Sequence, residues 1–129
     1  MTSSNGFEGV QVLVVDDNPH MRKLLAITLS REFSVAECGD AVEAMDLILR
    51  FKPKVVLLDI MMPDGVDGLQ LLDAIRCSPH TSAVSIGMVT AKGQQSDERL
   101  ALLKGADAYF VKPFSPQKVH DWVRERIAL

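Results

Sequence analysis

Cysteine is scarce in this chain. Cys38 and Cys77 are the two present, far apart and in no CxxC or Cys/His ligand spacing, which speaks against a disulfide framework and a zinc site. They read as reduced, packed thiols. His20, His80 and His120 are scattered, and none is placed for chemistry. An excess of basic residues is also missing: 14 Lys and Arg stand against 17 Asp and Glu, a net charge of −3, so direct DNA binding is not expected. No apolar run approaches the length that spans a bilayer. The start, Met1 to Gly9, lacks the charged and apolar regions of a signal peptide. A soluble cytoplasmic protein without membrane insertion is expected. There is no internal repeat, linker or low-complexity tract, and 129 residues leave no room for a second domain.

What is present is an alternation of short β-branched runs with helical periodicity. Gln11 to Val15 is an apolar run suited to a strand buried on both faces, and it ends in Asp16 and Asp17. Asn18 is a strong helix N-cap, and Pro19 loses no needed donor at the first helical position. Met21, Leu24, Leu25, Thr28 and Leu29 then repeat at helical spacing. Phe33 to Glu37 reads as a weaker strand. Asp40 caps a helix carrying Ala41, Ala44, Met45, Ile48 and Leu49, which breaks at Pro53. Lys54 to Asp59 is the most hydrophobic strand and is expected at the sheet centre.

Met61 to Gly68 reads as a loop and Leu69 to Arg76 as a third helix, ended by Pro79. Ala83 to Val89 follows as a strand, Gln95 to Leu103 as a helix stopped by Gly105, and Asp107 to Val111 as the fifth strand. Ser115 caps a last helix, with Pro116 in its first position, running to Ile127. Five strands alternating with five helices through short loops call for an α/β fold, a parallel sheet covered on both faces.

In such a sheet the carboxyl ends of the strands share one edge, where ligands bind. Asp16 and Asp17 follow strand one, Asp59 strand three, Thr90 strand four and Lys112 strand five, so all five are expected to converge. Taken singly, each has a plain structural role: a loop acid, a capping hydroxyl, a solvated lysine at a turn. Asn18 and Pro19 already begin the first helix, which leaves Asp16 and Asp17 without that task. Carboxylates a few ångströms apart repel and need a cation, and hard oxygen ligands suit Mg²⁺.

The motifs VLVVDDNP at 12–19, LLDIMMP at 57–63, VTAKG at 89–93 and GADAYFVKPF at 105–114 stand in order at suitable spacing. In these the chain resembles the receiver domains of two-component response regulators, from about Gln11 to the C-terminus. The resemblance implies a doubly wound, flavodoxin-like (βα)5 sandwich with strand order 2-1-3-4-5. It divides the chain into a flexible segment at 1–9 and a receiver domain at 10–129.

It further implies that Asp59 is the phosphoacceptor and that Asp17, Asp59 and the backbone carbonyl of Met61, with Asp16, hold Mg²⁺, for which Mn²⁺ is a substitute. Thr90 and Lys112 would each bind a phosphoryl oxygen. Thr90 and Tyr109 would form the switch; for Tyr109 the plainer alternative is an ordinary strand aromatic packed against helix four. The output surface would be helix four, strand five and helix five, from about Gly93 to Leu129, including Tyr109, Lys112 and Pro113. Helix one, with Met21, Leu24 and Leu25 if exposed, and the loop 113–115 would dock the donor, a sensor histidine kinase or a histidine phosphotransfer protein. The target is an unidentified protein, and the state a monomer or a phosphorylation-dependent homodimer. No external substrate is expected, only self-phosphorylation and self-dephosphorylation.

One departure is visible: IMMPDGVDG carries one residue more than the family's usual loop, around Asp64 and Gly65. The extra turn either shifts Asp67 or places Asp64 near the metal; a harmless bulge at a turn dipeptide is preferred to both, with Asp64 outside the site. Met61 and Lys92 occupy positions where the family tunes phosphate lifetime. Two rivals fare worse. A haloacid dehalogenase-type hydrolase needs D-x-D after the nucleophile's strand, where this chain has DIMMP, and a flavodoxin-like electron carrier needs a hydroxyl-rich loop where DDNPH stands. A natural single-domain regulator, acting as a relay shuttle or on one target, is preferred to an excised receiver.

Overall fold

The computed structural model describes residues 9–60, 62, 67–91 and 95–129, with backbone alone for 91 and 95–97. Five strands form one parallel sheet: β1 (Val12–Val15), β2 (Val35–Cys38), β3 (Val55–Asp59), β4 (Ser85–Ala91) and β5 (Ala108–Lys112). Between and after them lie α1 (Pro19–Ser30), α2 (Ala41–Phe51), α3 (Gly68–Cys77), α4 (Gln95–Leu103) and α5 (Pro116–Ala128). The sheet order is β2-β1-β3-β4-β5. β3, buried along its whole length, is the central strand, as its unbroken apolar run requires.

Alternate strand residues feed two cores. Leu13, Val15, Val56, Leu58, Ile86 and Met88 pack with residues of α2, α3 and α4, whereas Val12, Val14, Val55, Leu57 and Val89 pack with α1 and α5. Each fully buried Leu or Val in these layers stabilises the fold by about 1.5–3 kcal/mol. The helix starts obey their capping chemistry. Asn18 Oδ1 accepts from His20 N and Met21 N, Asp40 Oδ1 from Glu43 N, and Ser115 Oγ from Lys118 N. Gly105, at φ +108°, turns the chain out of α4 in a conformation that disfavours any other residue.

Several boundaries differ from expectation for identifiable reasons. Phe33 is not in β2: its N–H donates to Leu29 O at the end of α1, and its ring is buried in the α1/α5 core. Ala83 and Val84 are not in β4. Arg76 of α3 draws the carbonyls of Ser82 and Val84 toward itself, and pairing starts at Ser85, whose N–H donates to Lys54 O. β4 also runs on to Ala91, so Thr90 lies within the strand rather than beyond it. Leu49 lies outside the buried face of α2, which is Ala41, Ala44 and Ile48. The third helix begins at Gly68, one residue early, with Asp67 and Gln70 forming a reciprocal capping box. The extra residue in the preceding loop therefore leaves Asp67 employed as a cap; Asp64 and Gly65 lie outside the described residues.

Arg76 does more than bend one loop. Its Nε and Nη2 donate to Gly105 O at 2.9 and 2.8 Å, and Nη2 pairs with Asp107 Oδ2 at 3.0 Å. Asp107 Oδ2 in turn accepts the Ile86 N–H at 2.8 Å, and Oδ1 meets Arg126 Nη2 of α5 at 3.3 Å. The amino ends of β4 and β5 are clasped together with α3 and α5 at the edge opposite the strand carboxyl ends.

The two thiols differ in setting. Burial pushes the Cys38 thiol up to about 12, whereas Cys77 is exposed at the end of α3. Iodoacetamide at neutral pH is expected to add one carbamidomethyl group to the folded protein, at Cys77, and a second only in denaturant. Two groups on the folded protein, seen by intact mass, would contradict this placement.

Candidate functional site

Asp16 and Asp17 stand where β1 ends, Asp59 is the last residue of β3, and Lys112 is the last of β5. One carboxylate oxygen from each of Asp16, Asp17 and Asp59 lies within 4.8 Å of the others. Asp16 and Asp59 are buried, at 1% and 5% exposure, while Asp17 is exposed. The site therefore has a closed floor and an open mouth. Lys112 Nζ reaches Asp16 Oδ2 at 3.3 Å and Asp59 Oδ2 at 3.7 Å.

Among the described residues, these three carboxylates and the Lys112 ammonium leave an excess of negative charge. Two like charges 4 Å apart repel by about 4 kcal/mol at the effective dielectric near a protein surface. An all-oxygen donor set with no Cys or His suits a hard divalent cation that keeps some of its waters, which is the coordination habit of Mg²⁺. Asp16, Asp17 and Asp59 fit that ion. The carbonyl of Met61, expected as a further ligand, lies outside the described residues, as do Lys92 and Gly93. Asp16 has a local task too: its Oδ1 accepts the Asn18 N–H at 2.9 Å, so it supports the start of α1 as well.

Thr90 is fully buried on β4, one residue beyond Val89, which is in register with Asp59. Met88 is in register with Tyr109 and Thr90 with Val111, so Thr90 and Tyr109 lie on the same face of the β4–β5 pair as diagonal neighbours. Tyr109 is half-buried and packs against the α2/α3/α4 core. Pro113, joined to Lys112 by a cis peptide bond, is exposed beside the site. Of the three α1 residues proposed for docking, Leu24 is exposed and Met21 half-exposed, but Leu25 is buried at 1% in the α1/α5 core and drops out. The neighbouring Ile27 is 58% exposed instead.

Sequence reading missed Gly68. Its N–H donates to Ile60 O at 2.7 Å, and a Cβ placed there would overlap the Asp59 carbonyl oxygen and lie 2.8 Å from Ile60 Cα. The start of α3 presses on the backbone of Asp59 itself. The signal lay in the second Asp-Gly step, which reads as turn chemistry and says nothing of which backbone the glycine approaches.

Comparison with known proteins is consistent with this geometry. The family described as response regulator receiver domain matches residues 12–124. The DNA-binding response regulator MtrA of Mycolicibacterium smegmatis is 39% identical over 118 residues, 91% of this chain and 50% of its own length. The transcriptional regulatory protein SrrA of Staphylococcus aureus is 37% identical over 110 residues, 84% of this chain and 44% of its own. The chain thus spans about half the length of these relatives. Among solved structures, the receiver domain of NtrX from Brucella abortus superposes with a TM-score of 0.85 at 28% identity, over 92% of this chain and 98% of that one. No helix among the described residues is long and apolar enough to cross a membrane.

Proposed function

Because the chain belongs to the response regulator receiver domains of two-component systems, we propose that Asp59 is its phosphoacceptor and that residues 10–129 form a phosphorylation-controlled switch. The observation that carries this reading is the convergence of Asp16, Asp17 and Asp59, with Lys112 Nζ between the two buried carboxylates. An Asp59 carboxylate oxygen attacks phosphorus in line. The bond from phosphorus to the donor's nitrogen, or to oxygen in acetyl phosphate, breaks, and its electron pair leaves with the donor. The product is an acyl phosphate, which water later returns to carboxylate and inorganic phosphate. Lys112 neutralises one phosphoryl oxygen, and the Thr90 hydroxyl donates to another. Asp16, Asp17 and Asp59 would hold Mg²⁺, or Mn²⁺ in its place, which would neutralise charge on the transferred group; the Met61 carbonyl, expected as a further ligand, lies outside the described residues.

Phosphorylation adds about −1.5 to −2 charges at the edge of β3. Thr90, drawn toward the phosphoryl group, vacates space that Tyr109 fills, and their shared face on the β4–β5 pair supports that coupling. The output surface is α4, β5 and α5, including Tyr109, Lys112 and Pro113; exposed Leu100, Leu103 and Val111 on it favour an apolar contact. The donor, a sensor histidine kinase or histidine phosphotransfer protein in the cytoplasm, docks on α1 at Met21 and Leu24 and on the 113–115 loop.

The half-length coverage of MtrA and SrrA favours a second reading of the output, in which this surface acts on a DNA-binding domain instead of a separate protein target. These relatives give no support to the expectation of a free-standing domain. The phosphoacceptor reading is tested by intact mass after incubation with acetyl phosphate, with and without Mg²⁺. A Mg²⁺-dependent gain of one phosphoryl group is expected. No gain from acetyl phosphate or from a phosphorylated histidine phosphotransfer protein overturns it.

A further inference from the structure

The last register pair of β1 and β2 is Val15 with Cys38, and Asp16 follows directly after it. The Asp16 backbone is held on both sides of its Cα. Its N–H donates to Cys38 O at 3.1 Å, and its carbonyl accepts from Arg22 Nη1 at 2.8 Å. Arg22 sits on the first turns of α1 and is aimed by Glu37 of β2, whose Oε1 accepts from Nε at 3.3 Å; the other oxygen of Glu37 meets Lys23 Nζ at 3.2 Å. The side chains of Arg22 and Glu37 are only about a quarter exposed, at 24% and 25%. Gly39 leaves room for the guanidinium, since a Cβ there would lie 3.1 Å from Nη1.

We propose that Arg22 is a positioning residue for the divalent-cation site, fixing the peptide that joins Asp16 to Asp17 so that their carboxylates stay converged on Asp59. The proposal rests on the Mg²⁺-binding reading above. The fork of Arg22 spans two acceptors at once, a backbone carbonyl and the Glu37 carboxylate, which a lysine's single nitrogen cannot reproduce in the same geometry. Its charge is matched by Glu37, so its effect on the cation runs through geometry.

Charge and geometry predict opposite signs. Removing a nearby positive charge tightens binding of a cation, whereas releasing the peptide that carries its ligands loosens it. Loss of a group that orients metal ligands weakens affinity by about 10–100-fold. The experiment is calorimetric titration of metal-stripped protein with MgCl₂ for the native chain, Arg22→Ala and Arg22→Lys, with urea midpoints to confirm that each is folded. Arg22→Ala is expected to bind Mg²⁺ about tenfold more weakly and Arg22→Lys to fall between it and the native protein. Equal or tighter binding by Arg22→Ala, or native affinity in Arg22→Lys, overturns the proposal while leaving the parent reading intact. Absence of Mg²⁺ binding by the native chain overturns the parent reading and this inference with it.

Discussion

Asp59→Asn is expected to take up no phosphoryl group from acetyl phosphate and, without metal, to be more stable than the native protein. The first result follows from chemistry: a carboxamide offers no anionic oxygen to form the acyl phosphate, and no other carboxylate has been assigned that task. The second follows from charge. Asp59 shares its site with Asp16 and Asp17 within 4.8 Å and with one ammonium, that of Lys112, at 3.7 Å. Neutralising one of three clustered carboxylates relieves mutual repulsion while losing the Lys112 attraction, and the repulsion is expected to be the larger of the two. After solvent screening at this open edge, the net relief is worth about 1 kcal/mol. Intact mass reads the first outcome, and urea midpoints in EDTA read the second. Retained uptake in the variant would remove Asp59 from its role, and a lower midpoint would mean that Lys112 outweighs the neighbouring acids.

Gly68→Ala is expected to be the most damaging single-methyl change near the site. The added carbon would overlap the carbonyl oxygen of Asp59 and press on Ile60 Cα, both of them backbone atoms with no rotamer to yield. Either α3 shifts away, losing the Gly68 N–H to Ile60 O bond, or the end of β3 moves and carries the Asp59 carboxylate with it. The expected loss is about 3 kcal/mol of stability or more, at the upper end of overpacking effects. Phosphoryl uptake should fall with it, since a misplacement of about 1 Å costs on the order of a hundredfold in rate. Urea unfolding and the rate of mass gain with acetyl phosphate measure the two effects. A variant with native stability and native uptake would show that the contact between α3 and the β3 end is not tight in solution.

The alternation of strands and helices was legible because local chemistry and global fold agree at most positions. Asn18–Pro19, Asp40 and Ser115–Pro116 start helices in the structure as their capping chemistry requires, and α4 has the predicted bounds of Gln95 and Leu103. The convergence of Asp16, Asp17, Asp59 and Lys112 was legible for a similar reason, since parallel strands deliver their ends to one edge. What escaped depends on partners distant in sequence. The start of β4 is set by Arg76, the role of Phe33 by the α1/α5 core, and the grip on Asp16 by Arg22 and Glu37 across β1 and β2. Gly68 escaped because the absence of a side chain carries no pattern until the neighbouring backbone is known. Leu25 and Leu49 show the limit of periodicity, which marks an apolar stripe without saying which margin faces water.

The clasp built by Arg76 and Asp107 gives the sheet a mechanical polarity. β4 and β5 resemble two cantilevers, clamped where Ser85 and Ala108 begin and loaded at the far tips that carry Thr90 and Lys112. The clamp opposes lengthwise sliding of the strands under a push at those tips, because it ties their roots to α3 and α5 at once. Under the proposed switch the displacement is therefore shed sideways, into the helix that joins the two strands. α4, tethered at its end by the Gly105 turn and presenting Leu100 and Leu103 outward, is the element that such a displacement meets first.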